Sequence, residues 1–147
     1  MERLTAAERR LGWFMLGSGV VYLLVGAGFW VLPAFNQRVA GLLGAAFGMS
    51  EGEALPAALW LPLGVSMMFT IATCALLAAV DPRRNRVFVL PVMVSKAVST
   101  LCAGSLVLFG TGQASALGVV LTDLPLFVAT LWMYAAAVRS VNGSWLR

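Results

Sequence analysis

Two ionisable side chains, Lys96 and Asp123, each lie deep inside a long apolar stretch of this 147-residue sequence. A charged side chain at the centre of a membrane-spanning helix costs about 2.5–3.5 kcal/mol on insertion scales. Such residues either mark a ligand, ion or proton site or neutralise each other as an ion pair. Lys96 and Asp123 are therefore the first candidates for a polar site, and a functional role and a structural pairing are both open.

Whether the two side chains touch depends on the height of each in its helix. With a hairpin tip near Gly112 or Gln113, they are offset by about 9 Å along the helix axes, at 1.5 Å per residue. A lysine stem spans most of that distance, and an asymmetric tip would close the rest. A direct ion pair and a pair bridged by water or a ligand are both compatible with the sequence.

Hydroxyl side chains recur at helical spacing beside both residues. Ser99 and Thr100 follow Lys96 by three and four positions, and Thr130 and Tyr134 share the face of Asp123. Two other apolar stretches add small or polar side chains at similar spacing: Ser18, Tyr22 and Gly26 in one, Ser66, Thr70 and Thr73 in the other. Together these residues would line a small, partly polar chamber near the bilayer midplane. For the serines and threonines we favour the other interpretation, in which their hydroxyls bond back to their own helix.

Residues for the commonest kinds of catalysis and metal binding are few. The sequence has no histidine, and Cys74 and Cys102 stand alone inside apolar stretches, where we expect both to be buried. No nucleophile–base pair, metal-ligand set or phosphate-binding loop is present. We therefore expect no catalytic residue, no metal and no cofactor. The remaining enzymatic hypothesis uses the Lys96 amine as a base or Schiff-base nucleophile.

Four apolar stretches are the elements that position these residues. With 61% hydrophobic and 11% charged residues, the chain is too apolar to fold in water. Each stretch has the roughly 20 residues that a membrane-spanning helix needs, and they cover 11–32, 57–80, 87–109 and about 116–138. Thr5 and Glu8 before the first stretch are typical of a capping box, and we expect that helix to be retained rather than cleaved as a signal peptide. The sequence thus predicts an all-α fold, a single integral membrane domain of four transmembrane helices.

The arginines indicate how these helices are oriented. Eight of the nine lie before the first stretch, between the second and third, or after the fourth, and only Arg38 lies elsewhere. By the positive-inside rule, both termini are cytoplasmic. The turn that contains Arg83, Arg84 and Arg86 is interpreted first as this topology signal, with Pro82 ending the second helix. Binding of lipid headgroups or docking of a partner is the alternative role of these arginines.

The Asp81–Arg86 turn is followed by a helix with a mid-membrane lysine, Lys96, and by another with an aspartate, Asp123. In this layout, over residues 75–127, the chain resembles a loose group of uncharacterised small bacterial four-helix inner-membrane proteins. It is also distantly similar to DoxX-like proteins, some of which are membrane subunits of oxidoreductase systems. The resemblance implies a four-helix fold and a multi-pass location in the cell inner membrane, and it implies no reaction.

Two kinds of function fit these features. The first is a non-catalytic accessory subunit, or a binder of a lipophile such as a quinone or lipid, with Lys96 and Asp123 at its polar end. The second is a proton- or ion-coupled small transporter, which with four helices would act as an oligomer. The expected partners are the lipid bilayer and other membrane subunits or further copies of the chain. Positive charge confined to short segments between apolar stretches argues against nucleic acid.

A series of reporter fusions tests the predicted orientation. Fusions after Phe35 and after Gly112 should activate a periplasmic reporter such as alkaline phosphatase, and those after Arg84 and Arg147 a cytoplasmic one. The reverse pattern would contradict the assignment of both termini to the cytoplasm.

Overall fold

The computed structural model describes residues 4–32, 57–109 and 114–142, together with Ala34, Phe35, Arg38, Leu42 and Ala46. Four α-helices contain most of the described residues: α1, Ala6–Val31; α2, Ala57–Val80; α3, Val89–Phe109; and α4, Ala114–Asn142. A short 3-10 helix, Arg86–Phe88, precedes α3. All four α-helices are long and apolar enough to cross a membrane. The predicted all-α fold with four such helices is confirmed for this part of the chain.

Helix α1 begins at Ala6, ahead of the predicted position 11, because Thr5 and Glu8 form a capping box. The backbone N–H of Glu8 donates to Thr5 Oγ1 at 3.2 Å, and that of Thr5 donates to Glu8 Oε2 at 2.8 Å. These bonds satisfy two of the backbone donors that the start of a helix leaves open. The predicted capping box is confirmed.

The turn between α2 and α3 is closed by its own side chains. Asp81 Oδ1 accepts hydrogen bonds from the backbone N–H groups of Arg83 and Arg84, at 3.1 and 3.0 Å. Asn85 Nδ2 donates to the carbonyl oxygen of Leu77 at 2.8 Å, which satisfies an acceptor left open in the last turn of α2. The chain therefore reverses within a few residues, and α3 starts beside α2.

The helices alternate in direction around a four-helix bundle. Helix α1 packs most closely against α2, and α3 against α4, with further contacts between α1 and α4 and between α2 and α3. Thr5 before α1 and Ser140 near the end of α4 share a hydroxyl–hydroxyl hydrogen bond of 2.9 Å. The α2–α3 turn reaches the same end through a contact between Arg83 and Glu8. We call this the arginine end, after the described arginines that it carries: Arg9, Arg10, Arg83, Arg84, Arg86 and Arg139.

Small side chains fill much of the interior, and many large apolar side chains point outward. The buried set is rich in alanine and includes Ala72, Ala75, Ala78, Ala103 and Ala137. The exposed set contains Leu24, Val31, Leu101, Leu108, Phe109 and Trp132. Such a distribution suits a bundle surrounded by lipid, because lipid tails are as apolar as leucine and helices associate there through close packing of small residues.

Three glycines at seven-residue spacing, Gly12, Gly19 and Gly26, let α1 approach α2. A Cβ on Gly12 would lie 2.7 Å from Pro82 Cγ, and one on Gly26 would lie 3.0 Å from Met68 Cβ. Neither neighbouring atom can rotate away without a backbone shift, so the spacing between the two helices depends on the absence of a side chain at these positions.

Two expectations about the interior are wrong. Ser66, Thr70 and Thr73 are exposed on the outer face of α2, where their hydroxyls donate to carbonyl oxygens three or four residues back at 2.8–2.9 Å. Alanines occupy the inward face of α2 instead, because they allow closer helix packing. Cys102 is exposed on α3 and Cys74 is half-buried, so neither is a fully buried side chain.

Replacing Gly12 with alanine should destabilise the bundle, because the rigid ring of Pro82 is in the way of the new Cβ. Overpacking of this kind costs about 1–3 kcal/mol. Gly17→Ala is the matched control on the same helix, since nothing lies within 4 Å of its Cβ and alanine favours a helix by about 1 kcal/mol over glycine. Thermal unfolding in detergent, followed by circular dichroism, should give a lower Tm for Gly12→Ala only. Equal Tm values for the two variants would contradict the close contact.

Candidate functional site

Lys96 on α3 and Asp123 on α4 form a direct ion pair inside the bundle. Lys96 Nζ lies 2.8 Å from Asp123 Oδ1, and the two residues are 5% and 9% exposed. The sequence left open a direct ion pair and a pair bridged by water or a ligand, and the structure has the direct pair. Because α3 ends at Phe109 and α4 begins at Ala114, the axial offset is about 6 Å, which the lysine stem covers.

Ser99, one turn after Lys96 on α3, contacts the other oxygen of the same carboxylate. Its hydroxyl lies within hydrogen-bonding distance of Asp123 Oδ2 and 3.1 Å from the carbonyl oxygen of Lys96. Both carboxylate oxygens of Asp123 therefore have a donor, as a buried carboxylate requires.

Tyr22 brings α1 into the same site. Lys96 Nζ lies over the Tyr22 ring, 4.7 Å from its centroid, a distance at which the negative face of the ring attracts the ammonium group. Tyr22 is 3% exposed, and its hydroxyl is buried without a hydrogen-bond partner in the described part of the chain. We call Tyr22, Lys96, Ser99 and Asp123 together the polar site.

The polar site has hydrogen-bond donors to spare. A lysine ammonium carries three N–H donors, and that of Lys96 makes one hydrogen bond among the described residues, to Asp123. The Tyr22 hydroxyl makes none. Both oxygens of Asp123, in contrast, are already occupied. Among the described residues, the unpaired groups of the polar site are therefore hydrogen-bond donors, and both carboxylate oxygens already have a partner.

The other residues predicted for the site make no hydrogen bond to the ion pair within the described chain. The hydroxyls of Thr100 and Thr130 donate to carbonyl oxygens of their own helices, those of Lys96 at 2.7 Å and Leu126 at 2.6 Å. This is the alternative that the sequence left open for hydroxyl residues. Tyr134 is half-buried and packs against the apolar core.

A second buried charge lies at the arginine end. Glu8 is 0% exposed, and its two carboxylate oxygens accept hydrogen bonds from Arg83 Nε and Nη2, each at 2.8 Å. Arg86 Nη2 adds a longer ion-pair contact of 3.9 Å. Two parallel N–H···O bonds give an arginine–carboxylate pair both strength and a fixed geometry. The contact fastens the start of α1 to the α2–α3 turn.

This contact bears on the role of the turn arginines. Of the three predicted for lipid headgroups or partner docking, Arg83 and Arg86 contact Glu8, and Arg84 is exposed. Glu8 is not among the site residues predicted from the sequence. One feature of the sequence could have pointed to it. Glu8 lies just before the first apolar stretch, a position that the positive-inside rule places on the same side of the membrane as the turn arginines.

Removing either charge of the polar site should destabilise the bundle, and removing both should restore it. Lys96→Met and Asp123→Leu each leave one buried charge without its partner, for which a loss of about 3–5 kcal/mol is expected. The double variant brings two apolar side chains together and should return to within about 1 kcal/mol of the wild type. Unfolding in detergent micelles, followed by tryptophan fluorescence, measures all four proteins. Additive losses without recovery would be the contrary result.

Comparison with known proteins finds no match to this chain among protein-family models, curated proteins or solved structures. The resemblance to small inner-membrane proteins stays a prediction from the sequence, and the function has to be argued from the site itself.

Proposed function

We propose that this chain is a multi-pass protein of the bacterial inner membrane with both termini in the cytoplasm. In the described chain the arginine end carries six arginines against two acidic residues, Glu8 and Asp81. An excess of arginine and lysine is retained on the cytoplasmic side of inner-membrane proteins. The shared location of the start of α1 and the end of α4 supports the same side for both.

We infer further that the chain binds the polar group of a lipophile and acts as a non-catalytic accessory subunit. The observation that carries this inference is the Tyr22 hydroxyl, which is buried without a partner beside the Lys96 ammonium. An ion pair that only joined α3 to α4 would gain nothing from such a hydroxyl, since leaving it unpaired costs about 1–3 kcal/mol. A ligand oxygen that accepts its hydrogen bond removes this penalty.

The free donors favour one class of ligand. A quinone carbonyl or a lipid ester carbonyl is a good acceptor with no proton to donate, and it sits on a molecule that dissolves in the bilayer. Lys96 and Tyr22 are the donors for its oxygen, while Asp123 balances the lysine charge. Ser99 holds the second carboxylate oxygen and so keeps Asp123 in position.

A binding role suits the polar site better than catalysis. A Schiff base or a general base would need the Lys96 amine free, whereas its nitrogen is bonded to Asp123. Within the described ranges, no group of three or more His, Cys, Asp or Glu side chains could hold a metal ion. The accessory role follows from this lack of catalytic groups, and the partners would be other membrane subunits or further copies of the chain.

The variant Tyr22→Phe separates ligand binding from stability. It keeps the ring over Lys96 and removes the unpaired hydroxyl, so the delipidated protein should gain about 1 kcal/mol. The same change should weaken ligand binding, because one of two donors is lost. Native mass spectrometry of protein purified in a mild detergent should show a low-mass adduct on the wild type and less of it on Tyr22→Phe.

Tyr134→Phe is the matched control, because Tyr134 packs against the core of the same bundle and lies about 16 Å along α4 from Asp123, at 1.5 Å per residue. It should leave the adduct unchanged. Equal adducts and equal Tm values for the wild type and Tyr22→Phe would refute the ligand site and leave a structural ion pair. A homo-oligomer that carries a proton-coupled flux in proteoliposomes would favour the transporter hypothesis instead.

A further inference from the structure

A groove runs along the outside of the bundle between α1 and α2 at the arginine end. It has a volume of about 330 Å³ and a mainly apolar lining. Arg9, Gly12, Trp13 and Leu16 form its α1 side, at the spacing of one helical face, and Ala79 and Val80 lie on its α2 side. Gly12 and Pro82 both line the groove, and they pack closely against each other where α1 meets the end of α2.

The length of the groove matches the upper part of a lipid chain. From Arg9 to Leu16 the helix rises about 10 Å, and the hydrocarbon of one leaflet is about 15 Å deep, half of the roughly 30 Å bilayer core. Trp13 lies one turn below Arg9 and is 73% exposed, and indole rings favour the headgroup level. The groove therefore starts at the height of the phosphates and continues into the hydrocarbon.

Arg9 is the cation that this groove presents. Its side chain is exposed and takes part in none of the ion pairs of the described chain. Arg83 and Arg86, which belong to the same end, contact the Glu8 carboxylate instead. A guanidinium group binds phosphate through two parallel N–H···O bonds, so the open end of the groove is complementary to a phosphate group.

We propose that this groove binds an anionic phospholipid, with an acyl chain between α1 and α2 and the phosphate at Arg9. The site is separate from the polar site and does not depend on the proposed function. A second groove between α1 and α2, of about 500 Å³, is lined by Trp30, Pro62 and Phe69 among others and has no cation in its lining. It provides the contrast, an apolar groove with no cation in its lining that could select a headgroup.

Native mass spectrometry of the full chain in detergent, titrated with dioleoyl-phosphatidylglycerol or dioleoyl-phosphatidylcholine, tests the proposal. One arginine contact with an anionic lipid corresponds to about a fivefold change in affinity. The wild type should therefore bind phosphatidylglycerol about fivefold more tightly than phosphatidylcholine. Arg9→Gln should abolish this preference and leave phosphatidylcholine binding unchanged. Arg139→Gln removes the same charge from the same end outside the groove, and should keep the preference within about twofold.

A short-chain lipid distinguishes the contribution of the groove to binding affinity from that of the headgroup. Dihexanoyl-phosphatidylglycerol has the same phosphate with chains too short to follow the groove, and should bind several-fold more weakly than the dioleoyl lipid. Equal binding of the two dioleoyl lipids by the wild type would overturn the proposal. So would an equal loss of preference in Arg139→Gln and Arg9→Gln, because the charge of the whole end would then attract the lipid. Equal affinity for the short-chain and long-chain lipids would also overturn it, because an acyl chain in the groove would then contribute nothing to binding.

Discussion

Hydrocarbon offers no hydrogen bonds, so the Asp123 carboxylate has to find its donors inside the protein. It finds them on α3, where Lys96 and Ser99 lie one turn apart. The Asp123 side chain thereby constrains both the rotation of α4 about its own axis and its position along α3. Tyr22 extends the contact to α1 through its ring, and the glycines of α1 set the distance to α2. The carboxylate thus links α4 to α3 and, through Lys96, to α1, while close packing at glycines joins α2 to α1.

The two buried charge centres differ in which polar group has no partner among the described residues. At the arginine end, the Glu8 carboxylate accepts hydrogen bonds from Arg83 and from the backbone of Thr5, and it closes the end of the bundle. In the polar site, both oxygens of the carboxylate also have a donor. Each centre contains one buried polar atom without a partner among the described residues, Arg86 Nε at the arginine end and the Tyr22 hydroxyl in the interior. The Tyr22 hydroxyl, which lies on the ring beneath the Lys96 ammonium, is the one on which the proposed ligand site rests.

The helices themselves could be predicted from the sequence, because four long apolar stretches bounded by charges and turn residues leave little choice in lipid. The sequence did not show whether Lys96 and Asp123 contact each other directly. The answer depends on which residues form the connection between α3 and α4 and on how far the lysine side chain extends. The faces of α2 were predicted the wrong way round. Ser66, Thr70 and Thr73 tolerate lipid because their hydroxyls bond to their own helix. Polarity alone therefore does not say which way such a residue points.

The ion pair also has a consequence for biogenesis. Its two partners are 27 residues apart in one helical hairpin, so the charge of α3 is compensated as soon as α4 has been synthesised. The two charges inside this hairpin then sum to zero without a contribution from α1 or α2. A nascent chain that ended after α3 would carry an uncompensated lysine in its apolar stretch, at a cost of about 2.5–3.5 kcal/mol. The charge introduced by α3 is therefore compensated by the next helix that the ribosome makes.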